Sequence, residues 1–214
     1  MSTTKQEVRH PIFARMYTRM SAKAEERGGA EHRDRLLVGL AGRVVEVGAG
    51  NGLNFAHYPE AVSEVLAVEP EPYLREQARE AAERAAVTIQ IVDGLAEAIP
   101  AEDGTFDAGV ASLVLCTVPD QSRALAELYR VIRAGGELRF YEHVVARDGI
   151  PAALQRVADA TLYPRLSGGC HLARDTGSAV ERAGFTIESC DRFAFTPMPT
   201  PPTIPHILGA ARRP

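Results

Sequence analysis

The sequence predicts an α/β fold built on a doubly wound sheet of seven strands, mostly parallel with an antiparallel edge strand and with helices on both faces. Short apolar runs of strand length alternate with helical stretches across short connections. Three successive runs end in an acid, at Glu46, Glu69 and Asp93. Glycines at alternate positions, Gly48, Gly50 and Gly52, follow the first of them. An acid and a Gly-rich turn at the end of a first parallel strand form a ligand crevice, because glycine lets backbone come close to a ligand.

The elements are read in order. Residues 1–9 are polar and read as loose. From Pro11 a helix is expected, with Ile12, Phe13, Met16, Tyr17 and Met20 at helical spacing. It either covers the crevice, with Tyr17 or Phe13 against the ligand, or simply buries its apolar face. A membrane-surface helix is disfavoured by the short stripe and by Glu25 and Glu26. Gly28-Gly29 breaks the segment, and a second helix spans about Ala30–Leu40. Val44–Val47 is the first strand. A helix through Leu53–Tyr58 stops at Pro59. Val65–Glu69 is the second strand, Pro72 to Ala86 a helix, and Val87–Val92 the third strand. Leu95–Ile99 is a short helical turn before Pro100. Phe106–Leu115 is the fourth strand, Asp120–Ile132 a helix, and Arg133–Gly136 its turn. Glu137–His143 is the fifth strand.

Residues 144–170 break this rhythm with a polar helix and Ser167-Gly168-Gly169-Cys170, read as an insertion over the sheet's carboxyl edge. A helix follows over about Asp175–Ala183, then a strand over Phe185–Cys190. Pro197, Pro199, Pro201, Pro202 and Pro205 exclude helix and central strand from the tail. Pro205–Ala211 reads as a last edge strand.

Composition bounds the function. The chain has 214 residues, 45% hydrophobic and 24% charged, as expected of one soluble domain with a full core. A net charge of −4 offers nucleic acid no basic face. Cys116, Cys170 and Cys190 are odd in number and far apart, which suits a reducing compartment. A polar N-terminus and the lack of a long apolar run point to a cytoplasmic location without an integral membrane segment. A small-molecule partner and a monomer or homodimer are expected.

The glycine spacing G-x-G-x-G departs from the G-x-G-x-x-G of dinucleotide sites, although Glu69 would suit a ribose. No phosphate-binding G-x-x-x-x-G-K-[ST] is present. Glu46 beside the glycines would repel a pyrophosphate and suit a cationic end, such as an amino group.

Together, Glu46-x-Gly48-x-Gly50-x-Gly52, Val68-Glu69-Pro70, Asp93-Gly94, Phe106-Asp107 and Arg130–Gly136 resemble class I S-adenosylmethionine-dependent methyltransferases, Rossmann-like enzymes, in motif order. The resemblance divides the chain into an N-terminal helical lid, 1–40, and a methyltransferase domain, 41–214, with a substrate-side insertion at about 144–174. It implies S-adenosylmethionine as cofactor and S-adenosylhomocysteine as product. Glu46 and the Gly48–Gly50 backbone would hold the methionine end, Glu69 both ribose hydroxyls, and Asp93 the adenine amino group, beside an N–H from Gly94 or Leu95. The cofactor set is Tyr17, Glu46, Gly48, Ala49, Gly50, Asn54, Glu69, Pro70, Asp93, Gly94, Leu95 and Leu113.

Gly52-Leu53-Asn54-Phe55 with Tyr58-Pro59, Leu113-Val114-Leu115-Cys116, Tyr141-Glu142-His143-Val144 and Gly168-Gly169-Cys170-His171 resemble the thiol S-methyltransferase branch more narrowly. Animal members carry an N-terminal hydrophobic anchor that this stretch lacks, so a lipid surface is not implied. The branch implies a thiol acceptor. An amine, hydroxyl or lipid head-group acceptor stays open, as does a non-methylating cofactor-binding protein on the same fold. Leu115-Cys116-Thr117-Val118 is unlike the Asn-Pro-Pro-Tyr of nucleic-acid enzymes.

A thiol ionises near pH ~8.5, so its methylation needs only modest help. His143 and His171 are the catalytic candidates, as base or substrate orienter. Cys116, His143, Cys170 and Arg174 are the substrate candidates, with packing the plainer role for Cys116 and an ion pair for Arg174. No metal is expected, since Cys116, His143, Cys170 and His171 lack ligand spacing.

Overall fold

The structure, a computed structural model, describes residues 11–161, 163–197 and 203–214. The expectations for residues 1–9, for the Ile12 side chain and for Pro199, Pro201 and Pro202 lie outside these.

Parallel pairing of apolar runs forms the centre of the sheet. Strand β1 (Gly42–Val47) lies between β2 (Val62–Val68) and β4 (Phe106–Ser112). Beyond them lie β3 (Thr88–Val92) on one side and β5 (Ile132–His143) on the other. Strand β7 (Ile204–Arg212) runs antiparallel to β5, and β6 (Thr186–Phe195) closes that side, giving the order 3-2-1-4-5-7-6. The tail strand, expected at an edge, is therefore second from it. Its His206, Ile207 and Leu208 are buried between neighbours, while β6 is mostly exposed. The order reverses between β1 and β4, which places a ligand crevice at their carboxyl ends.

Alternation along β1 serves two cores. Val45 and Val47 face α4 (Gln121–Val131) and α7 (Thr176–Arg182). Val44 belongs to the other core, with Leu36 and Leu37 of α2 (Ala30–Leu37) and Ala78 of α3 (Pro72–Ala82). Period two puts Glu46 on the Val44 side, where a carboxylate must find partners. Helix starts follow their caps. Glu71, Asp120 and Asp175 each accept an N–H from the first turn of α3, α4 and α7.

Several expectations are corrected. Leu53–Tyr58 forms only a short 3₁₀ turn at Phe55–His57, because Asn54 and Tyr58 are drawn inward by Glu46. Leu95–Ile99 is a turn closed by a Leu95–Ala98 bridge rather than helix. β4 stops at Ser112 because Leu113 adopts φ 57°. That conformation costs a non-glycine residue ~1–3 kcal/mol and is held by a Leu113 N–H bond to the Tyr141 carbonyl at 2.7 Å. The insertion carries α5 (Gly149–Asp159) and α6 (Tyr163–Leu166). Helix α5 is not simply polar, since Ile150, Leu154 and Val157 are exposed.

The chain enters through α1 (Pro11–Ala24), which a five-residue turn, Glu25–Gly29, joins to α2. Gly28 at φ 115° makes the kink there. Ala14 is buried, but Met16 and Met20 of the expected stripe are exposed. Helix α1 reaches two loops. Tyr17 lies against Gly50, so that a Cβ on Gly50 would sit 3.4 Å from its ring, and Phe13 fills the space beside Gly168.

Candidate active site

Main-chain geometry at the β1 end shows which groups the glycine turn can offer a ligand. The N–H groups of Gly48 and Ala49 donate to the Val68 carbonyl at 2.8 and 3.2 Å. The Gly50 N–H donates to Glu69 at 2.9 Å. The turn thus has no row of N–H donors to offer a phosphate, and it leaves carbonyl oxygens and a buried acid for a cationic group. Gly48, at φ 63°, sits where any Cβ would collide with Val114 of the β4 loop. The two loops therefore lie side by side at the crevice between the ends of β1 and β4.

Glu46 is buried and accepts from Asn54 Nδ2 at 2.7 Å and from the Tyr58 hydroxyl at 2.8 Å. Arg33 donates to Asn54 Oδ1 at 2.6 Å, to Ser112 at 3.3 Å and to Glu25 at 2.9 Å. Burial pushes the Glu46 carboxyl up to about 7, against the opposing pull of Tyr58, Asn54 and Arg33. An acid so placed gains from an arriving cation. Asn51 adds a buried Oδ1 with no hydrogen-bond partner among the described residues.

Glu69 also accepts from the Glu71 N–H at 2.9 Å. Each carboxylate oxygen holds one N–H and keeps a lone pair, as two ribose hydroxyls would require. Burial raises its pKa against those two N–H bonds. Arg75 ties this edge together, donating to the Glu69 and Pro70 carbonyls and to Asp93 at 3.0 Å. Gly94 packs closely on Val68 and Pro100. The residues thus fit an S-adenosyl ligand along its length. Glu46 and the glycine turn lie at one end, Glu69 in the middle and Asp93 beyond.

Across the cleft, the loop after β4 is pinned from two sides. Buried Glu142 accepts N–H bonds from Val114, Leu115 and Cys116 at 3.0, 2.8 and 3.1 Å. Burial and the nearby Cys116 push Glu142 well above the ordinary carboxylate range, while the three N–H bonds pull it down. Arg174 donates to the Leu115 and Val118 carbonyls at 2.5 and 2.7 Å. The ion pair expected for Arg174 is replaced by this clamp, because the loop's carbonyl groups face its fork.

The insertion returns Cys170 beside Cys116. The His171 N–H donates to the Cys116 carbonyl at 2.8 Å. His143 Nδ1 lies 3.4 Å from Cys170 Sγ and 3.9 Å from Cys116 Sγ, and the two sulfurs are 3.9 Å apart. The Cys170 hydrogen bond, then burial, pushes the Cys116 thiol up to about 12, so it is no thiolate at neutral pH. The His171 ring turns away to Asp159 at 3.5 Å. Burial raises the Tyr17 pKa, and that hydroxyl also feels Arg33, Glu69 and Cys116. The Tyr17 ring lies against Gly50 on the cofactor side and against Phe13.

Comparison with known proteins agrees with this geometry. Residues 45–140 match the family described as "Methyltransferase domain". The thiol S-methyltransferase TMT1B of Mus musculus is 35% identical over 205 residues, covering 94% of this chain and 82% of that protein. The chain belongs to the S-adenosylmethionine-dependent methyltransferases. Thiol S-methyltransferase TMT1A of Homo sapiens is 33% identical over 172 residues, covering 78% of this chain and 69% of its own. The fold is shared with an S-adenosylmethionine-dependent methyltransferase structure from Thermotoga maritima, with TM-score 0.70 at 20% identity, covering 95% of this chain and 97% of that one.

For this methyltransferase, sequence reasoning missed Arg33, Ser112 and Asp159, and left Tyr58 and Glu142 without the contacts they make. Arg33 lies on a polar helix with no motif around it. Glu142 and Tyr58 stood inside quoted motifs, but their partners come from other strands and turns.

Proposed function

We propose that this methyltransferase acts on a small-molecule thiol, that residues 1–40 form a lid, and that the protein works in the cytoplasm. The observation that carries the acceptor reading is the make-up of the cleft opposite the cofactor residues. It holds small, soft groups, Cys116 and Cys170, with His143, and the chain's net charge of −4 disfavours a polyanionic acceptor. The thiol S-methyltransferases that match most of the chain support the same acceptor. Phe13 against Gly168 and Tyr17 against Gly50 support the lid.

Bound S-adenosylmethionine supplies an electrophilic methyl group on a sulfonium. Glu46 and the glycine turn would hold its cationic amino end, and Glu69 its ribose. Tyr17 closes the cleft and excludes water. His143, beside both cysteine sulfurs, would orient the acceptor, whose proton passes to solvent as the thiol ionises. The part left to the chain is to hold the acceptor sulfur in line with the methyl group that the cofactor would supply.

Incubation with S-adenosylmethionine and a panel of thiols, amines and phenols, read by mass spectrometry, tests the acceptor. One methyl thioether per S-adenosylhomocysteine formed is expected. Methylation of an amine or phenol with none of any thiol would refute it. Among the described residues no helix is long and apolar enough to cross a membrane. Fractionation of cells expressing the full chain tests the location.

A further inference from the structure

Cys116 ends the loop after β4, His143 ends β5 and Cys170 sits in the insertion, yet their ligand atoms all lie within 4.8 Å of one another. No fourth Cys, His, Asp or Glu donor joins them among the described residues. We propose that Cys116, Cys170 and His143 bind one thiophilic divalent cation of the zinc class, with a fourth position open to the methyl acceptor. The open position deepens the thiol reading above and rests on it. The three-ligand site does not.

The spacing is that of a coordination polyhedron. Zinc–sulfur bonds of ~2.3 Å and zinc–nitrogen bonds of ~2.05 Å at tetrahedral angles give ligand edges of about 3.8 Å between sulfurs and about 3.6 Å between sulfur and nitrogen. The observed edges are 3.9 Å between sulfurs, and 3.4 and 3.9 Å from nitrogen to sulfur. A cation can enter without moving the backbone.

The frame is already built. Glu142 and Arg174 pin the Cys116 loop from both sides. The His171 N–H joins the insertion to the Cys116 carbonyl, and a Cβ on Gly169 would lie 2.9 Å from the Thr117 carbonyl oxygen, so only glycine allows this approach. His171 stays outside, held by Asp159. Two cysteines and one histidine with a vacant fourth place is the pattern of a catalytic rather than a structural zinc site. On binding, each cysteine loses its proton to solvent as its sulfur coordinates, and the two thiolates neutralise a divalent cation. A thiol entering the fourth place would lose its proton in the same way, which presents a sulfur nucleophile without a strong base.

The test uses the full chain, purified under reducing conditions. About one zinc per chain is expected by elemental analysis, and Cys190→Ser, far from the site, keeps it. Cys116→Ser with Cys170→Ser should lose it, as should Cys170→Ser alone, whose half-buried loop position guards against misfolding. Cobalt in place of zinc should show thiolate-to-cobalt charge transfer. Adding 2-mercaptoethanol should raise that absorption by about half, as two thiolates become three. No stoichiometric zinc and no charge-transfer band, or zinc retained in the double variant, would overturn the site. A cobalt spectrum unmoved by 2-mercaptoethanol would overturn the open position. None of these readouts needs methyl transfer, so a chain that binds zinc but methylates only amines would sink the thiol reading and leave the site intact.

Discussion

Glu46 should make cofactor affinity depend on pH, because its buried carboxyl would meet the cationic end of the ligand. Its carboxyl is buried and pushed up to about 7, against an ordinary 4.5. That difference corresponds to about 3 kcal/mol against the charged form in the ligand-free fold. The cofactor brings a cationic amino group, so binding favours the ionised carboxylate and releases a proton. With a pKa of about 7, roughly 3% of the protein is ionised at pH 5.5 and roughly half at pH 7.0, so the apparent Kd for S-adenosylhomocysteine should tighten by about 15-fold across that range. The window lies below the α-amino pKa of ~7.7–8.0, so the ligand stays cationic throughout. Calorimetric titration at several pH values checks this, and buffers of different ionisation heat reveal the proton released. Glu46→Gln should flatten the profile. An affinity constant from pH 5.5 to 7.0, or a slope that survives Glu46→Gln, would refute the reasoning. Stability of the ligand-free chain carries the matching sign. Between pH 4.5 and about 7 the folded chain keeps a proton that the unfolded chain has lost. This group's contribution therefore falls as pH rises through the window and is level above it.

Other perturbations reach the remaining parts of the site. Gly48→Ala would push a Cβ into Val114 at φ 63°, where left-handed backbone alone costs ~1–2 kcal/mol. Its affinity for S-adenosylhomocysteine, measured by calorimetry, should fall at least about tenfold while circular dichroism stays native. Glu69→Gln replaces the carboxylate proposed to accept two ribose hydroxyls with a single amide oxygen. A loss of ~1.5–3 kcal/mol, about 10- to 150-fold in Kd, is expected, with a 2′-deoxy analogue losing less in the variant than in the native protein. Arg174→Lys cannot span the Leu115 and Val118 carbonyls as the guanidinium fork does. It should lower the melting temperature by about 2–4 °C and raise KM for the acceptor, leaving cofactor Kd unchanged.

Much of the cofactor side was legible in the chain itself. Strand runs ending in Glu46, Glu69 and Asp93, with glycines two residues beyond the first, are local patterns, and local backbone preference carries them into the fold. The acceptor side was not legible in that way. Cys116, His143 and Cys170 have no common spacing, and only parallel pairing of β4 with β5 and the return of the insertion put them together. Arg174 had to be seen in place to be read as a clamp, since its partners are main-chain carbonyls 56 and 59 residues away. The tail strand moved inward from the edge because β6 forms the sheet's outer strand. The sequence by itself determined the strand runs, the glycine turn and the acids that suit S-adenosylmethionine, because each depends on neighbours within a few residues. Tertiary structure alone decided which side chains gather opposite the glycine turn, because they belong to separate segments that meet only once the sheet has closed over its two cores.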